Sequence, residues 1–206
     1  MEEQISSTEK IFVVRKNAIK MIMKRGFVLQ PQDDMTEYDA FVRRFGEDPN
    51  YEELSVVGVK LSDKRDRVIV SFNNSSSLGV IAIKQLVEHM KEEDIASAVI
   101  VVKNKISNYA RQACKKFEPV FHLDLFSENE LLVDITEHFL VPQHILLSEK
   151  EKAALLERLS IPADKLPKIS IDDPICHYYG FKEGQVIKII RNSLSGGRSV
   201  AFRVVM

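Results

Sequence analysis

The chain has no tryptophan, two cysteines and eight glycines in 206 residues, and no apolar run reaches the length of a membrane helix. A bilayer-spanning helix needs about 18 or more consecutive apolar residues, so a spanning segment is not expected. Cys114 and Cys176 lie far apart, which fits a reducing compartment better than a disulfide scaffold. The opening MEEQISSTEK is acidic and polar, and on that ground no secretory signal is expected. An excess of charge of one sign is also missing. With 29 Lys+Arg against 30 Asp+Glu the net charge is −1, which argues against a freestanding nucleic-acid binder with a broad basic face.

The motifs of common chemistries are missing too. There is no GxxxxGK[ST] phosphate loop, no GxGxxG, no cysteine pair at zinc spacing and no GxSxG elbow. Glu137-His138 with His144 could be imagined as a metal cluster. The spacing is not a helical i, i+4 pair, however, and Pro142 interrupts it. Hydrogen-bonding roles at a domain junction explain these residues better. Cys114 has Lys115 and Lys116 beside it but no identifiable base, so it reads as a packed thiol. Asp172-Asp173-Pro174 could be a carboxylate pair, but Asp before Pro more often starts a turn or caps a helix. A strand-borne carboxylate site of the nuclease type would want acidic residues on Arg67–Phe72 and Ala98–Val102, and both stretches lack them. No catalytic residue, cofactor or metal is expected.

What is there is the composition of a globular protein, with 45% hydrophobic and 29% charged residues. Ser6 and Glu9 have capping-box spacing, Ile11, Val14, Ala18 and Met21 follow at helical intervals, and Gly26 stands where a C-terminal cap belongs. A second helix is expected over Met35–Phe45. Strands are expected over Ser55–Lys60 and Arg67–Phe72, and the polar run Asn73–Ser77 breaks the chain. Val80, Ile83, Val87 and Met90 mark another helix, Ala98–Val102 a buried strand, Ser107–Lys116 a helix and Val120–Leu123 a returning strand. This alternation describes an α/β layer domain, a small mixed sheet flanked by helices.

The character changes near Val141-Pro142. A second capping box, Ser148 to Glu151, opens a helix with Leu155, Leu156 and Leu159. Gln185–Arg191 and Arg198–Val205 read as a hairpin. The chain is expected to divide within residues 138–144, into a 1–140 α/β domain and a small α+β domain over 141–206. Charge follows the division: residues 1–141 carry a net of −4 and residues 142–206 a net of +3. In the hairpin the alternation suggests one apolar and one basic face, the basic one presenting Lys188, Arg191 and Arg198, with Arg203 nearby. A further basic cluster, Lys103-Asn104-Lys105-Ile106-Ser107-Asn108, follows a buried strand and opens the helix bearing Arg111. Amides, a hydroxyl and lysines at a helix start are parts that can hold a phosphate, and are equally the parts of a solvated loop.

The last third carries a resemblance. Ile135-Thr136-Glu137-His138-Phe139-Leu140-Val141-Pro142-Gln143-His144 resembles the segment ITEHxLVPEH of one family. Leu166-Pro167-Lys168-Ile169 resembles its LPRI, Asp173–Gly180 its DPVARYYG, and Gly184–Arg191 its GQVVKIIR. Upstream, Leu78–Lys84 is similar to VGIKTIK, and Ala98–Val102 falls where the family has a strand. The family is the fifth common subunit of the eukaryotic nuclear RNA polymerases, whose archaeal counterpart corresponds to the C-terminal part alone. The likeness spans nearly the whole chain. His177, Asn192, Leu194 and Ser199 depart from the pattern, and Ser107-Asn108-Tyr109-Ala110 stands where the family has TPSA. These departures suggest a divergent lineage, a paralogue for one polymerase class or a viral version.

The resemblance implies a non-catalytic polymerase subunit in the nucleus, or in a viral factory or virion. It implies an N-terminal jaw domain near downstream double-stranded DNA and a C-terminal assembly domain on the largest subunit, with other core subunits and regulators of the jaw as further partners and no membrane. On that reading Lys103, Lys105, Ser107, Asn108 and Arg111 are expected near DNA. Glu137, His138, Pro142, His144, Tyr178, Tyr179, Lys188, Arg191, Arg198 and Arg203 are expected at subunit interfaces. The readings weighed against it are a nuclease-related α/β domain with residual activity and a separate DNA-binding factor.

Overall fold

A computed structural model of the chain describes residues 6–33, 35–61, 63, 65–75, 78–104, 106–118, 120–193 and 197–206. It divides into two compact units, Met1–Val133 and Asp134–Met206. The first is an α/β unit built on a five-stranded mixed sheet, the second an α+β unit built on a four-stranded one.

Helix α1 (Ser7–Lys24) starts where the capping box puts it. The Glu9 amide donates to Ser6 Oγ at 3.0 Å and the Ser6 amide donates back to Glu9 Oε2 at 2.9 Å. Ile11, Val14, Ala18, Met21 and Ile22 form its buried stripe. The helix ends at Arg25, and Gly26, with φ +92°, turns the chain into β1 (Phe27–Val28). Helix α2 (Tyr38–Phe45) begins three residues later than the sequence suggests. Ahead of it the chain turns so that the Asp33 carbonyl accepts from the buried Arg15 at 3.1 Å.

The sheet follows with β2 (Val56–Lys60), β3 (Arg67–Asn73), β4 (Ser97–Val102) and β5 (His122–Ser127), interleaved with α3 (Val80–Glu92) and α4 (Asn108–Lys115) and closed by the short α5 (Glu128–Leu131). Strand order is β1-β2-β3-β4-β5. The first two pairings are antiparallel and the last two, bridged by helices, are parallel. Every residue from Ala98 to Val102 is at most 3% exposed, so both faces of β4 are covered. One face packs Ile69, Ala98, Ile100, Leu123 and Leu125 against Ile83, Val87 and Met90 of α3 and Ala110 and Cys114 of α4. On the other side Ile22 of α1 approaches Gly58 of β2, and Arg25 reaches Asp124 of β5. Strand β5 departs from the expected Val120–Leu123. Val120 lies in a turn, its amide donating to the Phe117 carbonyl at 2.9 Å, and the strand runs on to Ser127.

In the second unit Asp134 caps a 3-10 turn, Ile135–Glu137. Strand β6 (Gln143–Leu146), α6 (Glu149–Leu159), β7 (Lys168–Ile169), α7 (Pro174–Tyr179), β8 (Val186–Ser193) and β9 (Gly197–Val205) follow. The Ser148–Glu151 capping box forms, and Asp173 caps α7 with its carboxylate accepting from the Ile175 amide at 2.9 Å. Strand order is β6-β8-β9-β7, leaving β6 and β7 at the edges. The β8–β9 hairpin is antiparallel, with Ile187 opposite Arg203 and Lys188 opposite Phe202.

The hairpin does not have one apolar and one basic face. Val186 and Ile187 are neighbours on opposite faces, yet both are fully buried. Val186 and Val204 pack with Leu155 of α6 and Leu166, while Ile187, Ile189 and Val205 pack with Cys176 of α7 and Phe181. Because this sheet is covered on both sides, its basic residues are divided. By register Lys188 and Arg198 share one face and Arg191 and Arg203 the other.

Candidate nucleic-acid and subunit interfaces

In the first unit, β3, β4 and β5 are parallel, so their carboxyl ends share one edge of the sheet, the edge at which open α/β sheets characteristically bind ligands. Lys103 follows β4 there and is exposed. Its Nζ donates to Asn74 Oδ1 at 3.1 Å and lies 5.7 Å from the Tyr51 ring centroid. The Tyr51 hydroxyl donates to Glu128 Oε1 at 2.9 Å, and the buried Glu128 carboxylate pairs with Lys10 at 3.2 Å. Burial, then the hydrogen bond and charge of Glu128, and last Asp48, push the Tyr51 phenol well above its usual range. The lysine therefore stands on a positioned ring.

Ser107 is the N-cap of α4, its Oγ accepting from the Ala110 amide at 3.1 Å, which leaves the hydroxyl proton free to donate. Ser107, Asn108 and Arg111 are exposed on and beside the first turn of α4. Lys105 lies outside the described residues. Sequence reasoning does not find Tyr51 and Asn74, since they reach Lys103 from positions far away in the chain. It also passes over Tyr109, 70% exposed beside Asn108.

Asp124 escapes the sequence reading as well, because the expected strand stops one residue short of it. It is a strand-borne carboxylate of the type a nuclease would need. It is already paired with Arg25 at 2.5 Å and contacts His122 Nε2 at 3.4 Å, with only a tenth of its side chain exposed. Among the described residues no three His, Cys, Asp or Glu side chains are placed to hold a metal ion.

In the second unit Asp134 accepts from the Thr136 amide at 3.0 Å and the Thr136 hydroxyl at 2.6 Å. Tyr178 is buried beside them. Burial first, then the charge of Asp134 and a hydrogen bond to it, push its phenol well above the usual range, while a hydrogen bond with Thr136 opposes the shift. Tyr178 is thus an interior support, and the half-buried Tyr179 stacks on Phe181 at 5.1 Å between ring centroids. Glu137 and His138 are exposed, and Pro142 and His144 are partly buried. His138 Nδ1 accepts from the Leu140 amide at 3.2 Å. His144 Nδ1 lies 2.7 Å from the Pro142 carbonyl, which can only accept, so that nitrogen carries the proton. Burial lowers the His144 pKa, opposed by that carbonyl and by Asp173 and reinforced by Arg203. Arg203 donates to the Lys168 carbonyl at 3.1 Å and so ties β9 to β7.

Comparison with known proteins gives matches in both units. A model described as the RNA polymerase Rpb5 N-terminal domain matches residues 6–90, and the RNA polymerase Rpb5 C-terminal domain matches residues 133–205. The chain is 36% identical to the DNA-directed RNA polymerases I, II, and III subunit rpabc1 of Dictyostelium discoideum, over 95% of this chain and 96% of the relative. It is 32% identical to the subunit RPABC1 of the same polymerases in Caenorhabditis elegans, over the whole of both chains. It is 33% identical to the DNA-directed RNA polymerase V subunit 5A of Arabidopsis thaliana, over 98% of this chain and 91% of that one.

Proposed function

This chain belongs to the RNA polymerase Rpb5 family, and from that premise we propose that it is a non-catalytic common subunit of a DNA-dependent RNA polymerase, working in the nucleus as part of the multi-subunit complex. Its second unit is the assembly domain that anchors it to the largest subunit, and its first unit is part of the lower jaw beside downstream DNA. The observation that carries this reading is the coverage. Both family models match in order, one in each compact unit, and full-length relatives named as polymerase subunits align end to end.

The site geometry agrees in kind. Lys103, Ser107, Asn108 and Arg111 form an exposed polar and basic group at the carboxyl edge of the parallel strands, suited to sequence-independent contact with a duplex backbone but too few to bind DNA alone. The net charge of −1 fits a chain that reaches DNA within an assembly rather than by itself. Affinity purification of the tagged full chain, with identification of its partners, tests the assignment. The largest polymerase subunit should be recovered in stoichiometric amount. Recovery of the chain alone, or with proteins outside the polymerase, would overturn it.

A further inference from the structure

Four residues from separate stretches of the chain form one polar network in the first unit. Glu128, at the start of α5, has a side chain only 2% exposed, and its two oxygens are divided between partners. Oε1 accepts from the Tyr51 hydroxyl at 2.9 Å, and Oε2 pairs with Lys10 of α1 at 3.2 Å. Tyr51 opens a turn whose other end is fixed as well. The Leu54 amide donates to the Tyr51 carbonyl at 3.3 Å, Leu54 is fully buried, and its carbonyl accepts from the buried Arg15 at 3.2 Å. The Tyr51 ring is thus held at its backbone and at its hydroxyl, and its centroid lies 5.7 Å from Lys103 Nζ. Lys103 is also set from β3. Its amide donates to the Asn73 carbonyl at 3.2 Å and its Nζ to Asn74 Oδ1 at 3.1 Å.

Stability alone is a poor reason for this arrangement. Taking a carboxylate and its partners out of water is costly, and apolar side chains of similar volume in the same places commonly fold as well or better. What apolar side chains lack is direction. The bond from the Tyr51 hydroxyl to a buried carboxylate fixes where the ring stands, and the ring and Asn74 together fix where the Lys103 ammonium stands. A lysine placed in advance loses less side-chain freedom when it meets a phosphate than one that must be ordered on contact.

We propose that Glu128 is a positioning residue for the jaw's contact with DNA: acting through the Tyr51 hydroxyl, it sets the ring that orients the Lys103 ammonium for a phosphate of the downstream duplex. The proposal rests on the jaw reading above and names the buried residue that decides how well Lys103 makes its contact.

The test uses the polymerase reassembled with full-length variants of this chain, its affinity for mixed-sequence downstream duplex being measured in low and in fourfold higher salt. Lys103→Ala should lower the ratio of the two affinities by about threefold, the share of one phosphate contact. The variant Lys10→Met, Tyr51→Phe, Glu128→Leu keeps the ring and the net charge and strands no polar group of the network. It should melt close to the wild type, yet weaken the hold and lower the salt ratio part of the way toward Lys103→Ala. Added to Lys103→Ala, it should change neither. Glu128→Gln, which keeps an acceptor for the Tyr51 hydroxyl, should retain most of the hold. A lower melting temperature with an unchanged hold would make the network purely structural and overturn the proposal. So would a loss of hold that is the same with and without Lys103. If the triple variant does not assemble, Tyr51→Leu, which leaves the Lys10–Glu128 pair in place, decides between the same outcomes. An effect of Lys103→Ala without any effect of the network variants refutes the positioning role and leaves the jaw reading standing. No effect of Lys103→Ala at either salt concentration refutes the contact itself, and the positioning role with it.

Discussion

Arg25, the C-cap of α1, forms an ion pair with Asp124 on β5 across 99 positions of sequence, with no more than about a tenth of either side chain exposed. The guanidinium also lies 6.0 Å from the Phe126 ring centroid, so it is held by charge on one side and by an aromatic face on the other. This pair pins the end of α1 to the far edge of the sheet and uses up a strand carboxylate that could have suggested nuclease chemistry. Removing one partner leaves a desolvated charge. Asp124→Ala is expected to cost about 3–5 kcal/mol in urea unfolding, whereas the double variant Arg25→Met with Asp124→Leu should cost much less, because no buried charge is stranded. Equal losses in the two proteins would show that the pair is not buried in solution.

The two thiols should be inert in the native protein. Burial pushes Cys114 up to about 11, with help from Glu118 and Asp124, and pushes Cys176 up to about 11, with help from Asp173. At pH 8 about one thiol in a thousand is then ionised, and thiolate is the reactive form. An aromatic disulfide reagent should titrate no thiol at pH 8 in buffer and two thiols in concentrated guanidinium chloride. Reactivity in buffer should climb only as the pH approaches 11. Prompt reaction of either cysteine at pH 8 would contradict the packing described for α4 and α7.

Lys103 should act on DNA only in the assembled polymerase. Its ammonium is set by Asn74 and by the Tyr51 ring, which Glu128 fixes in turn. Lys103→Ala with Lys105→Ala should leave assembly intact and loosen the hold on downstream duplex. The slope of log affinity against log salt should become shallower by at most about 0.9 for each phosphate no longer neutralised. Tyr51→Ala, which removes the ring but no charge, should weaken the same hold by less. An unchanged salt slope and unchanged crosslinking to downstream DNA in the double lysine variant would remove this loop from the jaw.

The elements with local signals are legible in the sequence. The capping boxes at Ser6–Glu9 and Ser148–Glu151 place two helix starts, and the unbroken apolar run Ala98–Val102 reveals a strand covered on both faces. Short elements defined by tertiary pairing are not legible. Strand β1 is two residues held by register with Val59 and Lys60, and β7 is two residues held by β9. The expected single basic face of the hairpin fails for a related reason. An alternating strand reads as half-buried, and only the packing of α6 and α7 on opposite faces shows that it is not. At the candidate sites, residues adjacent in sequence can be found, while Tyr51, Asn74, Asp124 and Glu128 cannot, because nothing local marks a partner dozens of residues away.

The second unit should fold and assemble without the first. Its sheet is made only of strands from 143–205, and both faces are covered from within the unit, by Leu155 and Leu166 on one side and Cys176 and Phe181 on the other. Asp134, Thr136 and Tyr178 also lie within Asp134–Met206, so the fragment keeps the contacts these three make with one another. At this size a core is marginal, so the fragment should unfold cooperatively at a lower temperature than the full chain. Expressed with a tag, Asp134–Met206 should recover the largest polymerase subunit, and Met1–Val133 should not. Within the fragment, Glu137→Ala should weaken that recovery if the Ile135–Glu137 turn meets the partner, and should leave the melting temperature unchanged if the side chain serves only the interface. The opposite pattern, with Met1–Val133 recovering the polymerase and a folded Asp134–Met206 failing to do so, would reverse the roles proposed for the two units.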